Sequence, residues 1–567
     1  MLVSIATYIG FVAFQSSVPC LDYEINADSI YLFMITRDVV FDGGRLAEWS
    51  ISAHLYLFPD VPLTMGGLLL QRAGLSVFTG SVAIYGVMLG ILAAAIWRRT
   101  TAAPVGQSIL AGMLLVSIIY CGAYLLYVSA IRDMPKPDTL IALDHVYSLG
   151  QILGPALHSG AFIMACGLFM PVYSFMTRSP VVKLPSKVLT PLTWIRESWS
   201  EQADRPPCSG PTAGNTSMPT SVGTEGIGGS APCRWVSDRG AVFLAMLVAF
   251  GVFLTTLSDI IFVAWGVLPL SIATLTLTVR GLFRRGLVLL ALIWSTMALG
   301  YLASWLIGDE FRSAYFNGTR VSFAVAFAGL VSFAKLIVSL SQPVITLFCV
   351  ANLILWTALL RCLWLEARLP SASFGRAFTI FAASMSVGSI FAAVATGLFS
   401  GDQIRYFIPY IVLGPGFCVF MAMVQLSRHL TVPRWAVTSS GSGIAIFLTG
   451  VIGGYSLPGP AAEVLAKCLK QDGLVSGRAN YWDASPVVAA SGWRIQAIPL
   501  APGGLDVFSW LTSKRHLHRT KGIGQPDRSF LILDPSTVPI ALNRYGPANS
   551  VLKCAERRVL VYKGVPW

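Results

Sequence analysis

The chain has 567 residues, of which 55% are hydrophobic and only 12% charged, and its formal net charge is +13. Soluble domains hold about 25% charged residues, and the mean hydropathy of +0.68 is that of a protein that crosses a membrane many times. The composition excludes an ordinary soluble enzyme and predicts an all-α polytopic membrane protein. The positive charge then marks cytoplasmic loops rather than a nucleic-acid-binding surface.

The chain begins with an apolar run at residues 2–18, which we interpret as a first span because it lacks a basic leader and a small-residue cleavage site. Residues 20–74 form a predicted outer loop. Carboxylates at a membrane surface are partly desolvated and become more basic, so this loop is a candidate active-site loop. A solvated acidic loop is the alternative. Seven of the chain's 27 acidic residues lie in it: Asp22, Glu24, Asp28, Asp38, Asp42, Glu48 and Asp60.

Two positions in this loop carry most of the argument. Asp28 opens the segment ADSIYLFMITRDVVFDGG, whose apolar run is interrupted by charges as expected of a helix lying along the membrane interface. Asp60 lies in FPDVPL, where flanking prolines fix the backbone; it is either a site residue or a turn aspartate. Asp22, Glu24, Asp28 and Asp60 are the catalytic candidates, and His54 of the same loop is grouped with the substrate-binding candidates.

Further apolar runs follow the loop, each near the roughly 20 residues that a span requires. Together with the first run they predict about eleven transmembrane helices. Arginine clusters at alternate span ends mark the cytoplasmic side, which places the N-terminus inside and the C-terminal region outside. The later runs are 75–97, 108–128, 150–175, 241–257, 260–279, 286–306, 343–363, 377–399, 407–426 and 436–455. A run at 321–340 contains Lys335 and is interpreted as an interfacial or re-entrant helix.

Two segments interrupt this pattern. Residues 198–236 are rich in Gly, Ser, Thr and Pro and predict a disordered cytoplasmic insert. Residues 456–567 have ordinary globular character and predict a small extracytoplasmic α/β domain, set apart from the membrane domain 1–455. Its predicted elements are helices at 461–471 and around 479–485, and strands at 493–500, 529–534 and 557–564. A disulfide between Cys468 and Cys554 is possible if this domain faces an oxidising compartment.

Ionisable groups at the membrane edge give the remaining candidates. Asp259 separates two closely spaced spans and is either a substrate-binding residue or a helix cap shared with Ser258. In DQIRYFIPYIV, Arg405 and the adjoining Tyr406 either contact a phosphate or anchor the helix at the interface. Lys335 could add charge for a phosphate. No metal-ligand spacing, P-loop or dinucleotide fingerprint is present in the sequence.

These residues resemble the membrane glycosyltransferases of the C superfamily, which include protein mannosyltransferases and lipid A aminoarabinose transferases. ADSIYLFMITRDVVFDGG is similar to that family's aspartate-led interfacial helix, which assigns the essential carboxylate to Asp28. LFPDVPL resembles the proline-rich stretch before the second span, and IRYFIPY resembles an Arg-Tyr-x-x-Pro signature whose arginine holds a lipid-linked phosphate. The family's Asp-Glu pair is Asp-Ser here.

The resemblance implies a glycosyltransferase at the outer face of a bacterial inner membrane. The donor would be a polyprenyl-phosphate sugar, and the acceptor a glycan, a lipid or a protein. No cofactor is implied, and a divalent-metal requirement is left open. The alternatives are a transporter or flippase for a lipid-linked glycan and a scaffold for envelope assembly. Transport would need polar groups near the bilayer midplane, whereas the polar groups of this sequence gather at the span ends.

Overall fold

The computed structural model describes most of the helices and the C-terminal sheet. The described residues are 27–50, 55–72, 77–116, 159–178, 239–278, 283–311, 324, 327–331, 343–366, 373–395, 408–429, 461–501, 503–508, 512–514, 527–554 and 557–564. The expected spans 2–18 and 436–455 and the expected insert 198–236 lie outside these residues, as does most of the run 321–340.

The first loop contains two helices. Helix α1 spans Ala27–Val40, where the sequence predicts a helix, and every side chain of residues 30–36 is buried. Helix α2 spans Asp60–Arg72 and carries Pro62 in its first turn, where a missing N–H costs nothing because that turn has no intrahelical acceptors for it. The hydroxyls of Thr36 and Thr64 lie 2.8 Å apart and link the two helices.

Nine helices make up the membrane part of the described chain. They overlap nine of the predicted spans, because long apolar runs are the strongest helix signal in a sequence of this kind. In chain order they are α3 Val77–Thr101, α4 Val105–Val116, α5 Ser159–Arg178, α6 Arg239–Ser258, α7 Leu268–Thr278, α8 Phe283–Phe311, α9 Pro343–Glu366, α10 Phe374–Ala395 and α11 Ile408–His429.

The number of spans is where the structure departs from the sequence prediction. Among the described residues, four helices are long and apolar enough to cross a membrane: Gly160–Thr177, Gly240–Ser258, Arg285–Ile307 and Phe374–Val394. The expectation of about eleven is therefore not met. Among the described residues, the apolar stretches Val105–Val116, Val263–Thr278, Cys349–Leu365 and Ile408–Val424 are each shorter than a full span.

The packing of these helices is that of a membrane bundle. Its buried centre is aromatic: the ring of Phe169 stacks on Phe381 with centroids 4.8 Å apart, and Phe374 and Phe378 pack beside them. Helices α6 and α8 instead expose large apolar side chains, among them Phe243, Phe250, Leu302, Trp305 and Leu306. Apolar surface of this extent is tolerated where lipid, not water, is the neighbour.

The C-terminal region folds as a five-stranded sheet with helices on both faces. Its elements are α12 Ala461–Gln471, β1 Ser476–Asn480, α13 Tyr481–Ala490, β2 Gln496–Leu500, β3 Arg528–Leu533, α14 Val538–Tyr545, β4 Ser550–Cys554 and β5 Arg557–Lys563. The strand order is β2-β1-β3-β5-β4. Strand β1 is parallel to β2 and to β3, whereas β5 is antiparallel to both β3 and β4.

The pattern of burial explains this sheet. In β3, Phe530 and Ile532 face α12 and α13, while Leu531 and Leu533 face α14, so both faces of the strand are covered and it appears as a continuous apolar run. The small α/β fold and the two helices and three strands expected from the sequence are confirmed. Strands β1 and β4 and helix α14 were not predicted.

The C-terminal sheet domain packs on the first loop. Tyr481, Val488 and Ala489 of α13 share a buried cluster with α1. The Arg37 guanidinium lies 4.9 Å from the centre of the Trp493 ring, and the Trp493 indole N–H is 3.4 Å from the side-chain oxygen of Gln71. Helix α1 therefore packs against α2 on one side and the sheet domain on the other.

A disulfide joins Cys468 of α12 to Cys554 of β4, with Cα atoms 6.0 Å apart. The bridge closes a long loop, which restricts the unfolded chain. Disulfides persist in oxidising compartments and are rare in the cytosol.

We expect the double variant Cys468→Ala/Cys554→Ala to lose about 2–5 kcal/mol of stability in the C-terminal domain. Thermal unfolding of the purified protein measures the loss. On a non-reducing gel, the wild type should migrate faster than after reduction, and the double variant should show no such difference. Cys418→Ala, which removes a free thiol, is the control that keeps the difference. A wild type insensitive to reduction contradicts the bridge.

Candidate functional site

The structure places Asp60 at the N-terminus of α2 and buries it, with 1% of its surface exposed. The Tyr85 hydroxyl of α3 donates a 2.8 Å hydrogen bond to Asp60 Oδ1. The backbone N–H of Gly160, in the first turn of α5, donates a second bond to the same carboxyl group. Asp60 therefore links three helices, and its carboxylate lies at the positive end of the α5 dipole.

Burial, and to a smaller extent the negative charge of Asp259, raise the pKa of Asp60 from its usual value to about 7. The bonds from Tyr85 and Gly160 act against this shift, because they stabilise the charged form. A carboxyl group with a pKa near neutrality can take up and release a proton under physiological conditions. Asp60 has the acidity of a proton-transfer group, although it is enclosed by protein.

The end of α6 completes this group of residues. The Ser258 hydroxyl accepts a 2.8 Å hydrogen bond from the backbone N–H of Phe58, and the Ser258 carbonyl accepts one of 2.9 Å from Tyr56. Asp259 Oδ1 accepts from the N–H of Ile261 at 3.1 Å, so it caps the helical turn that follows, as the cap alternative proposed. We call Asp60, Tyr85, Gly160, Ser258 and Asp259 the Asp60 cluster.

An elongated apolar cavity begins at this cluster. Tyr85 lines it with its ring while its hydroxyl contacts Asp60. Along α3 the lining continues through Leu89 and Leu92 to Ile96, a distance of about 17 Å at 1.5 Å per residue. The opposite wall runs along α11 from Ile408 to Phe420, and α4, α5 and α10 supply the rest. The cavity therefore extends along several helices, and its lining is almost entirely apolar.

The other sequence candidates are placed only in part. Asp28 lies in the first turn of α1, so its backbone position is known. Helix α11, whose first residue Ile408 lines the cavity, begins just after two of the phosphate-site candidates. The candidates outside the described residues are Asp22, Glu24, His54, Lys335, Arg405 and Tyr406. Among the residues that the structure does describe, no three His, Cys, Asp or Glu side chains are grouped as metal ligands.

Tyr85, Gly160 and Ser258 were not singled out from the sequence. A tyrosine one-third of the way along an apolar span is a signal, because a buried hydroxyl needs a partner. The sequence carries no such signal for Gly160, because this residue matters through its missing side chain. A Cβ at this position would overlap the Asp60 carboxyl group. Ser258 had been noted only as a helix cap.

Gly160→Ala should disrupt the Asp60 cluster, because the added methyl group must displace the carboxyl group or the end of α5. We expect a loss of about 1–3 kcal/mol, measured as a lower thermal unfolding midpoint in detergent. Gly167→Ala is the matched control, since it lies on the same helix and a Cβ there meets nothing within 4 Å. Equal unfolding midpoints for the two variants would show that Gly160 does not hold Asp60 in place.

Comparisons of this chain with protein-family models, with curated proteins and with solved structures gave no match.

Proposed function

We propose that this protein is a membrane glycosyltransferase of the C-superfamily type, which transfers a sugar from a polyprenyl-phosphate donor to a glycan, lipid or protein acceptor. Asp28 accepts the proton of the acceptor hydroxyl as its oxygen attacks the anomeric carbon. The bond from that carbon to the phosphate breaks, and the lipid phosphate leaves with the electron pair. Inversion at the anomeric carbon follows from this single displacement.

The observation that carries the proposal is the apolar cavity that ends at the Asp60 cluster. A hydrocarbon-lined space running along membrane helices suits a lipid chain, and the carboxyl group at its end lies in the loop that the sequence identified as reactive. The lipid of the donor would occupy the cavity. Its phosphate and sugar would then lie at the level of α1 and α2, beside the Asp60 cluster.

The leaving phosphate requires a positive charge, and Arg405 is the candidate. It precedes by three residues Ile408, which lines the cavity. A guanidinium binds phosphate oxygens through two parallel hydrogen bonds, which stabilises the charge that develops on the leaving group. Tyr406 and Lys335 are proposed to assist in this binding, and His54 to contact the sugar. The two buried carboxyl groups, Asp60 and Asp259, orient the loop rather than the sugar.

The proposed location is a bacterial inner membrane with the C-terminal domain outside. Arg98 and Arg99 end α3, while the Asp60 cluster lies at the opposite end of that helix, a charge distribution typical of a cytoplasmic C-terminal end. The disulfide between Cys468 and Cys554 supports an oxidising surrounding for the sheet domain. Both observations favour a reactive loop on the extracytoplasmic side.

A transporter or flippase is less favoured by the same geometry. The polar groups near the middle of α9 and α10 bind each other: Ser386 donates a 2.8 Å bond to the Asn352 side chain, whose amide donates to the Tyr410 carbonyl. Asn352 and Ser386 are fully buried and do not line the cavity. A path for a sugar head group would need such groups along its wall.

Asp28→Asn should lower sugar transfer at least about 100-fold, because the amide cannot accept the acceptor proton. The measurement incubates the purified protein with radiolabelled polyprenyl-phosphate sugars and a membrane extract as acceptor. Asp42→Asn, which changes an exposed carboxylate of the same loop, is the control and should retain transfer. If Asp28→Asn works at nearly the wild-type rate, Asp28 is not the base.

Ala93→Phe should narrow the cavity and raise the KM for a long-chain donor about tenfold, the effect of about 1.4 kcal/mol of lost binding. A donor with only two isoprene units should be affected much less, because it does not reach Ala93. Ala95→Phe, on the same helix but outside the lining, is the matched control. A KM that does not change for either donor would place the lipid elsewhere.

A further inference from the structure

The sheet domain carries a polar group of side chains at the carboxyl ends of β1 and β3, outside its apolar core. Strand β1 is followed by α13 and then by β2 on one side, whereas β3 pairs with β1 on the other side. The chain thus adds β2 on one side of β1 and then β3 on the other side, so the order of strands in the sheet reverses at β1. In open α/β sheets, ligands bind outside the carboxyl ends of the strands at such a reversal of strand order.

Side chains of the type that bind ligands meet at this point. Asn480 ends β1, and its amide donates to Asp534, which directly follows β3. Arg557 begins β5 and pairs with both Asp534 and Asp483. Its Nε lies 2.8 Å from one oxygen of Asp483, and its Nη2 lies 3.2 Å from the other. We call Asn480, Trp482, Asp483, Asp534 and Arg557 the sheet-edge crevice.

The residues of this group are partly exposed, and one of them is aromatic. The side chain of Asp534 is 34% exposed and that of Arg557 28%, while Trp482, between Asn480 and Asp483 in sequence, is 42% exposed. An indole left in solvent on a well-packed domain costs hydrophobic free energy. This exposed indole, close in sequence to Asn480 and Asp483, offers an apolar face on which a ligand can stack.

The charges at the crevice select the class of ligand. Two carboxylates surround one guanidinium, so an anion would meet net negative charge, and the carboxylates that would attract a cation are already paired with Arg557. Each oxygen of Asp534 receives one hydrogen bond from within the protein and can accept about one more. Hydroxyl groups of a neutral sugar can donate these bonds while an apolar sugar face stacks on the indole.

The crevice borders the reactive loop. The Trp482 ring contacts the Tyr481 ring, with centroids 4.8 Å apart, and Tyr481 is buried in the cluster that joins α13 to α1. Trp482 of this aromatic pair is partly exposed to solvent, whereas Tyr481 packs against α1, the helix that carries Asp28 in its first turn. A saccharide on Trp482 would lie at the junction between the sheet domain and the first loop.

We propose that the sheet-edge crevice binds a neutral saccharide. Its use as the acceptor site rests on the sugar transfer proposed above, whereas the binding itself does not. The acceptor class would then be a glycan rather than a protein or a lipid.

The test measures binding of the full-length protein in detergent micelles to an array of immobilised neutral hexose and pentose oligosaccharides, with sulfated oligosaccharides alongside. We expect binding to neutral members only. Trp482→Ala should weaken it about tenfold, as expected for the loss of one stacked ring. Trp482→Phe should stay within about threefold of the wild type, because it keeps an aromatic face. Ile540→Ala, exposed on α14 of the same domain, should leave binding unchanged.

The saccharide site and the glycosyltransferase activity can be refuted independently of each other. Neutral glycans that do not bind the wild type, or that bind Trp482→Ala as well as the wild type, would overturn the saccharide site even if sugar transfer is observed. Preference for sulfated glycans would overturn it too. The Asp28→Asn variant should bind glycans as the wild type does. If the wild type binds glycans but transfers no sugar, the saccharide site is supported and the proposed glycosyltransferase activity is refuted.

Discussion

A carboxyl group that is buried must find hydrogen-bond donors, and Asp60 finds them on two other helices. The arrangement of the first loop follows from this requirement. Because Tyr85 and Gly160 both donate hydrogen bonds to the Asp60 carboxyl group, the start of α2 is fixed against α3 and α5. The end of α6 adds backbone contacts through Ser258. Four helix segments that are distant in sequence thereby meet at one point, where the apolar cavity also begins.

Helix α1 depends on this anchoring. Its middle is apolar on all sides, which in an isolated interfacial helix would expose hydrophobic surface to water. Here α2 covers one side through the Thr36–Thr64 contact, and α13 covers another. The loop is therefore a packed layer between the bundle and the sheet domain. A general base on α1 would be held in place by both parts of the protein, which is what precise proton transfer requires.

The sequence was informative where one physical signal dominates. Long apolar runs located the membrane helices, and alternating or continuous apolar runs located β3 and β5. The number of spans was overestimated in part because hydropathy does not show that the apolar run at 260–279 contains the π-helical turn Val263–Val267, which leaves an α-helix of only 11 residues, Leu268–Thr278. Strand β1, SGRAN, escaped prediction because it is short and polar, and it is a strand only because β2 and β3 pair with it.

The candidate site was predictable only in its location. Aspartates in a loop between spans indicate chemistry, yet their partners depend on tertiary contacts between separate helices, over sequence separations from 25 residues upwards. Phe58 and Ser258 lie 200 positions apart, and no local pattern connects them. The sheet-edge crevice was hidden for the same reason, since Asp483, Asp534 and Arg557 come from three separate elements. Trp482 was visible in the sequence, but its exposure was not.

The packing of α13 on α1 has a consequence for biosynthesis. The ribosome makes α13 more than four hundred residues after α1. At a translation rate of about 5–20 residues per second, the apolar surface of α1 that packs on α13 stays uncovered for roughly 20–90 s. During that interval the nascent protein exposes an apolar helix surface outside the bilayer. Its maturation would therefore depend on a holding chaperone or on transient adsorption to the lipid surface, and C-terminal truncations would be cleared by proteases even if every span had inserted correctly.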